Sequence, residues 1–146
     1  MASNLSPRLA AIVDALPLRP GLRVLEMGCG PGAMARDIAR KVGNGYVLGI
    51  DRSAKAIALA TAGSSREIET GRLGFRHVAA EEFRLEPGEA PYDVAIAVRI
   101  GALDGRHPEL ERRAKARIAA ALRPGGRLFI DAGNPLREVT LDVQQP

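Results

Sequence analysis

The sequence contains no tryptophan, two tyrosines and three phenylalanines in 146 residues. Aromatic faces on which unpaired bases could stack are therefore scarce. Its single cysteine, Cys29, excludes an internal disulfide and fits a reducing compartment. The two histidines, His77 and His107, lie far apart with no cysteine at ligand spacing, so no metal site is expected. No apolar run is long enough to span a bilayer, and the first twenty residues are broken by Arg8, Asp14 and Pro17. Neither a signal peptide nor a membrane anchor is expected, and the default location is cytoplasmic. Lysine is scarce as well: 18 of the 21 basic residues are Arg, and they are scattered rather than massed. The net charge of +4 thus reads as a compositional bias, and nucleic acid is not an expected partner.

What is present is an alternation of strand-like and helix-like stretches. Ser6-Pro7 reads as a helix cap and first helical residue, with Leu9, Ile12, Val13 and Leu16 on one face and Pro17 and Pro20 ending it. "LRVLEMG" reads as a strand, and "AMARDIARKV" as a helix with Met34, Ile38 and Val42 inward. "YVLGID" reads as a second strand. A helix through Thr61 follows, which Gly63-Ser64-Ser65 kinks or ends. "LGFRHVAA" is a less apolar third strand suited to an edge, and "YDVAIAV" a fourth that is apolar enough to be buried on both faces. A helix from Pro108, a turn at "PGG", a fifth strand "RLFIDAG" and a short last strand within "PLREVTLDV" complete the chain. The length suits one domain. Its expected parts are an N-terminal helix (1–20), a core (21–131) and a short tail or edge strand (132–146). The expected fold is α/β: a doubly wound, mostly parallel sheet of five or six strands with helices on both faces.

The stretch "VLEMGCGPGAM" carries the chemistry. Gly28, Gly30 and Gly32 follow a strand and precede a helix, the setting in which a glycine turn lets a backbone approach a ligand closely. The free N–H groups and positive dipole end of that helix add to the site. Asp51 ends the second strand, 21 residues after Gly30, where a carboxylate can accept from both hydroxyls of a ribose. Its competing role is as a helix cap, for which Ser53 also qualifies. An adenosine-containing cofactor is implied. Gly28, Gly30 and Ala33 also satisfy the dinucleotide pattern G-x-G-x-x-A, and Glu26 separates the two classes. An acid beside the turn would repel a pyrophosphate but suits a cationic amino-acid end. This favours S-adenosylmethionine over NAD.

At these residues the chain resembles the class I S-adenosylmethionine-dependent methyltransferases. "VLEMGCGPG" resembles the first motif of that family and "VLGIDRS" the second. "LRPGGRLFID" resembles the turn and fifth strand, and "YDVAIAVRIGALD" falls where the fourth strand opens onto the methyl group. The resemblance spans roughly residues 20–131. It implies a cofactor set of Glu26, Met27, Gly28, Cys29, Gly30, Asp51, Arg52, Ala80, Glu81, Val98 and Arg99. The sequence departs from the family in three places. The third strand ends in "HVAAEEF" without the usual acid, so Glu81 or backbone groups near Ala80 and Glu81 are expected to hold the adenine. The fourth strand lacks the Asn/Asp-Pro-Pro motif of amino-group methylators. Only 15 residues follow Asp131, too few for the usual helix and hairpin of a seven-stranded sheet.

Arg99, Asp104 and His107 follow the fourth strand on the expected acceptor side, but none is marked as catalytic; His77 reads as structural. The implied activity is methyl transfer to a small-molecule acceptor. Its rivals are a cofactor-binding module working through a partner and an NAD-binding domain. The bare edge of the fifth strand suggests a homodimer joined through residues 127–143.

Overall fold

The computed structural model describes residues 5–141. Its sheet has six strands: β1 (Arg23–Met27), β2 (Tyr46–Asp51), β3 (Leu73–His77), β4 (Tyr92–Ala97), β5 (Leu122–Ile130) and β6 (Arg137–Val139). Their order is β3-β2-β1-β4-β5-β6; the first five run parallel and β6 is antiparallel to β5. The α/β expectation holds, with six strands, and β3 lies at an edge as its weaker apolar character suggested.

Among the described residues five α-helices accompany the sheet: α1 (Pro7–Ala15), α2 (Ala33–Val42), α3 (Ala54–Ala62), α4 (Ser65–Glu69) and α5 (Pro108–Ala121). Side chains of a strand alternate between faces, and neighbours here enter different cores. Val24, Val47, Val94 and Ile96 pack with Ile12 and Val13 of α1 and Met34, Ile38 and Val42 of α2. Leu25, Leu48, Ala95 and Leu128 pack on the other face with Ala114, Ile118 and Ala121 of α5. Both faces are covered, so the central strands must be apolar throughout. Glu26, between Leu25 and Met27, is the one acid inside β1.

Local chemistry sets the helix boundaries. The Ser6 hydroxyl accepts from the Leu9 amide at 3.2 Å and Pro7 opens α1. Ser53 caps α3 by accepting from the Ala56 amide at 3.1 Å. Gly63 and Ser64 separate α3 from α4. Arg23 anchors the amino end of β1, its guanidinium 5.0 and 4.8 Å from the ring centres of Tyr46 and Tyr92.

The "PGG" at 124–126 falls inside the span of β5 as an outward excursion. Tyr92 pairs with Leu122 and Val94 with Arg127, so residues 123–126 stand out from the sheet, with Gly125 at φ 82°, before regular pairing resumes at Arg127. The expected turn is thus a bulge, and Leu122 adds a pairing point ahead of it. Within the expected last strand only Arg137–Val139 is extended and paired; Asp142 and Val143 lie outside the described residues.

Two aliphatic sites should report this packing oppositely. Ile38→Ala removes side-chain atoms from a position with no solvent exposure and should cost about 2–5 kcal/mol. Leu59→Ala, at a position 55% exposed, should stay within about 0.5 kcal/mol. Urea unfolding midpoints of the two variants check this.

Candidate functional site

The strand order reverses at β1, with β2 on one side and β4 on the other, so a crevice opens at their carboxyl ends. The glycine turn fills the middle of it. Gly28, Gly30 and Gly32 have φ of 76°, 53° and 90°, a region that L side chains rarely adopt. Their surroundings differ. A Cβ on Gly28 would be driven into the Val98 carbonyl oxygen, so this glycine exists for contact with the chain beyond β4. Gly28 also lines the cavity described below, so the same backbone borders both that segment and open space. A Cβ on Gly30 would meet nothing within 4 Å. Gly30 is therefore the position where the turn faces open space.

The turn is latched to β2. The amides of Gly28 and Cys29 both donate to the Ile50 carbonyl, at 2.9 and 3.0 Å. The Gly30 amide donates to Asp51 Oδ2 at 2.9 Å, while Asp51 Oδ1 accepts from the Ser53 amide at 2.9 Å. Ser53 does the capping of α3, so the Asp51 carboxylate sets the turn instead and keeps lone pairs toward the crevice. Behind the turn, Arg36 donates to the Pro31 carbonyl at 3.2 Å and to the fully buried Ser64 hydroxyl at 2.9 Å.

Around this turn lies a cavity of about 380 Å³. Gly28, Gly30, Asp51, Arg52, Ala80, Glu81, Val98 and Arg99 line it, which brings eight of the expected cofactor residues together. Ala80 and Glu81 sit on a short 3₁₀ turn (Ala80–Glu82) after β3, at the end away from Gly28. A smaller recess of about 130 Å³ adjoins the turn, lined by Glu26, Cys29, Gly30 and Arg99 among others. Met27 lines neither; its side chain is in the core beside Leu25 and Ile50. Cys29 is buried, and burial pushes its thiol up from the ordinary value, so it acts as a small apolar residue.

Glu26 is the unusual member. It is 2% exposed, and its Oε1 has no hydrogen-bond partner among the described residues. Burial, and then the nearby Asp51 charge, pushes its carboxyl up to about 8, with Arg36 opposing. An unsatisfied buried carboxyl is costly in a protein that uses it only for structure.

A larger cavity of about 500 Å³ opens beyond β4 and β5. It shares Arg99, Ile100 and Gly101 with the first. Arg99 is also the only non-glycine residue of positive φ among those described, at 55°. Its amide donates to Asp131 Oδ2 at 3.2 Å, and the same oxygen accepts from Arg8 of α1 at 2.8 Å. Asp104 accepts from the Arg106 amide at 2.9 Å and pairs with the Arg106 guanidinium, the turn that Asp104-Gly105 suggested. His107 opens α5 and lines the smaller of these two cavities. His77 lies 2.9 Å from the Arg52 carbonyl, a structural contact.

A buried acid thus precedes a latched glycine turn, and two cavities meet beyond β4. The methyltransferase domain family matches residues 24–126 of the chain. The chain belongs to that family. It is 34% identical over 139 residues to a nocamycin O-methyltransferase of Saccharothrix syringae, covering 92% of this chain and 47% of that protein. It is 33% identical to an O-methyltransferase of Pyrenophora dematioidea, covering 82% of this chain and 42% of that one. A solved S-adenosylmethionine-dependent methyltransferase of Geobacter sulfurreducens, in complex with S-adenosyl-L-homocysteine, superposes with a TM-score of 0.65 at 29% identity. That match covers 89% of this chain and 49% of that one. This methyltransferase domain thus spans about half the length of the relatives it matches.

The sequence had not marked Ile100, Val78 and Leu110 as cavity residues, although Ile100 directly follows Arg99 in the stretch after β4. Nor had it marked Asp131 as a tie between α1 and β4, which no local pattern could reveal across 123 residues.

The Glu26 carboxyl gives the domain a pH signature. Its folded value of about 8 exceeds the ordinary 4.5, so the folded state holds the proton more tightly than the unfolded one. The associated stability is fully present below about 4.5 and is lost as the pH rises through about 8. At roughly 1.4 kcal/mol per unit the effect is large. Glu26→Gln, which cannot ionise, should therefore melt higher than the parent at pH 8.5, with the gap narrowing steadily as the pH falls and closing near pH 4.5. Calorimetric melting of the ligand-free proteins across that range is the measurement.

Proposed function

We propose that the domain binds S-adenosylmethionine and transfers its methyl group to a small-molecule acceptor. The meeting of two cavities at Arg99, Ile100 and Gly101 is the observation that carries this reading over a pure binding module. Both volumes fall in the range of about 300–1,000 Å³ usual for small-molecule sites.

The residues fit the cofactor. The open space at Gly30 gives room for it against the backbone. Asp51 presents a carboxylate to the ribose, and Arg52 follows it on the cavity wall. Val78, Ala80 and Glu81 flank the adenine end, where the backbone of the 3₁₀ turn takes the place of the usual acid. Glu26 supports the cationic amino-acid end. A neighbouring ammonium would favour its ionised form and relieve the cost of its burial. NAD would bring no such relief, because a pyrophosphate at this turn would hold the buried carboxyl in its protonated form. Val98 lines the cofactor cavity, and Arg99 borders both cavities.

When bound, S-adenosylmethionine supplies a methyl carbon on a sulfonium: an acceptor lone pair forms the new bond as the carbon–sulfur pair departs to sulfur, and any acceptor proton passes to solvent. The domain's contribution is alignment, which can provide about 7–11 kcal/mol of such a barrier. The latched turn and the Asp131 tie at Arg99 hold the walls that would provide it. No side chain is assigned as a general base. The cytoplasm remains the proposed location, supported by the reduced, buried Cys29.

Calorimetry with S-adenosylmethionine, S-adenosylhomocysteine and NAD tests the cofactor, with binding of the first two and none of the third expected. Asp51→Asn, which can still accept from the Gly30 amide, should weaken S-adenosylhomocysteine by about 1.5–3 kcal/mol. Gly30→Asn tolerates the left-handed backbone but places a side chain in the cavity, and should abolish that binding in a folded protein. Normal affinity in both variants would remove the cofactor from this turn.

We also propose a homodimer joined at the outer edge of β6. That edge has no strand partner among the described residues, and unpaired edges recruit other chains. Light scattering at micromolar concentration should give about twice 15.5 kDa. A mass of one chain would leave Arg137 and Glu138 as the charges that keep the edge soluble.

A further inference from the structure

The larger cavity has an unequal charge account. Three carboxylates and three guanidiniums line it: Asp104, Glu111, Asp131, Arg99, Arg106 and Arg137. Every carboxylate is engaged. Asp104 pairs with Arg106 at 2.6 Å, Glu111 with Lys115 at 3.5 Å, and Asp131 with Arg8 at 2.8 Å. Among the guanidiniums only that of Arg106 has a partner. Those of Arg99 and Arg137 make no ion pair or hydrogen bond within the described residues, so the wall carries two uncompensated positive charges.

Strand alternation places Arg137 on the cavity side. Glu138, its neighbour on β6, pairs with Arg127 and stands opposite Phe129 of the α1–α2 core. Arg137 and Val139 therefore face the other way, with Val139 against the α5 core and Arg137 opposite Ile130, itself a cavity residue. Arg99 stands at the other end, where the cavity meets the cofactor site. Arginine forks match the two oxygens of a carboxylate or phosphate.

Taking the methyltransferase reading as its basis, the geometry points to an anionic acceptor, a small molecule bearing a carboxylate or phosphate. Arg137 anchors that group from the edge strand. Arg99 engages the end of the acceptor nearest the cofactor. The site selects against neutral analogues, which would leave two guanidiniums facing a ligand that cannot pair with them.

The probes are succinate and inorganic phosphate, with succinamide as the neutral counterpart of succinate. Each is titrated into protein saturated with S-adenosylhomocysteine and followed by the side-chain Nε–H signals of arginine in ¹⁵N NMR. Succinate and phosphate should shift the Arg99 and Arg137 signals, and succinamide should bind at least tenfold more weakly than succinate. Arg137→Gln should weaken the anions at least fivefold and leave S-adenosylhomocysteine affinity unchanged, Arg137→Lys should recover part of the loss, and Arg66→Gln on α4 should have no effect. Equal binding of succinate and succinamide, no binding of either anion, or equal effects of Arg137→Gln and Arg66→Gln would overturn the proposal. Phosphate binding without succinate binding would narrow it to phosphorylated acceptors. Failure of S-adenosylhomocysteine to bind would instead overturn the methyltransferase reading, and the anion titrations on the cofactor-free protein would still decide the charge of this cavity.

Discussion

The hydrogen bond from the Gly30 amide to Asp51 Oδ2 connects the two halves of the crevice at the carboxyl ends of β1 and β2. It joins the turn after β1 to the end of β2, and the Ile50 carbonyl reinforces the join by accepting from Gly28 and Cys29. The turn can hold this shape because three of its residues are glycines in the left-handed region. With the turn fixed, α2 leaves it at a set angle, and Arg36 on α2 reaches back to the Pro31 carbonyl and to Ser64. The crevice is thus preorganised by backbone contacts, and its side chains are left to face the ligand.

Glu26 is the costly member of this arrangement. An isosteric apolar side chain in β1 would be cheaper to bury than a carboxyl with an unsatisfied oxygen. The domain carries the acid in the recess beside Cys29 and Gly30, next to the crevice. Cost at this position and usefulness to a cationic ligand have the same origin, an electrostatic need that the folded chain itself does not meet. The larger cavity shows the same principle with the opposite sign, since its carboxylates are internally paired and two of its guanidiniums are not.

Much of the fold was legible because it is written locally. The strand and helix alternation, the Ser6 and Ser53 caps, the break at Gly63-Ser64 and the edge character of β3 follow from patterns a few residues long. The glycine turn and Asp51 were legible for the same reason. The features that were not legible depend on distant partners. The bracing of Gly28 against the Val98 carbonyl is one. The Arg8–Asp131 pair, the positive φ of Arg99 and the unpaired state of Arg137 have no signature in the neighbouring sequence, since each follows from how the sheet closes.

The strand order also bears on how the chain can assemble as it is made. β1 lies at the centre; β2 and β3 extend the sheet to one side, and β4, β5 and β6 then extend it to the other. No strand has to insert between two that are already paired. Each arrives, in order of synthesis, at an edge that is already waiting, so a growing chain can add structure without undoing any. The exposed interval falls between β1 and β4, when one side of β1 stays open until residues 92–97 emerge. That interval is when a nascent chain of this topology most needs protection from its neighbours.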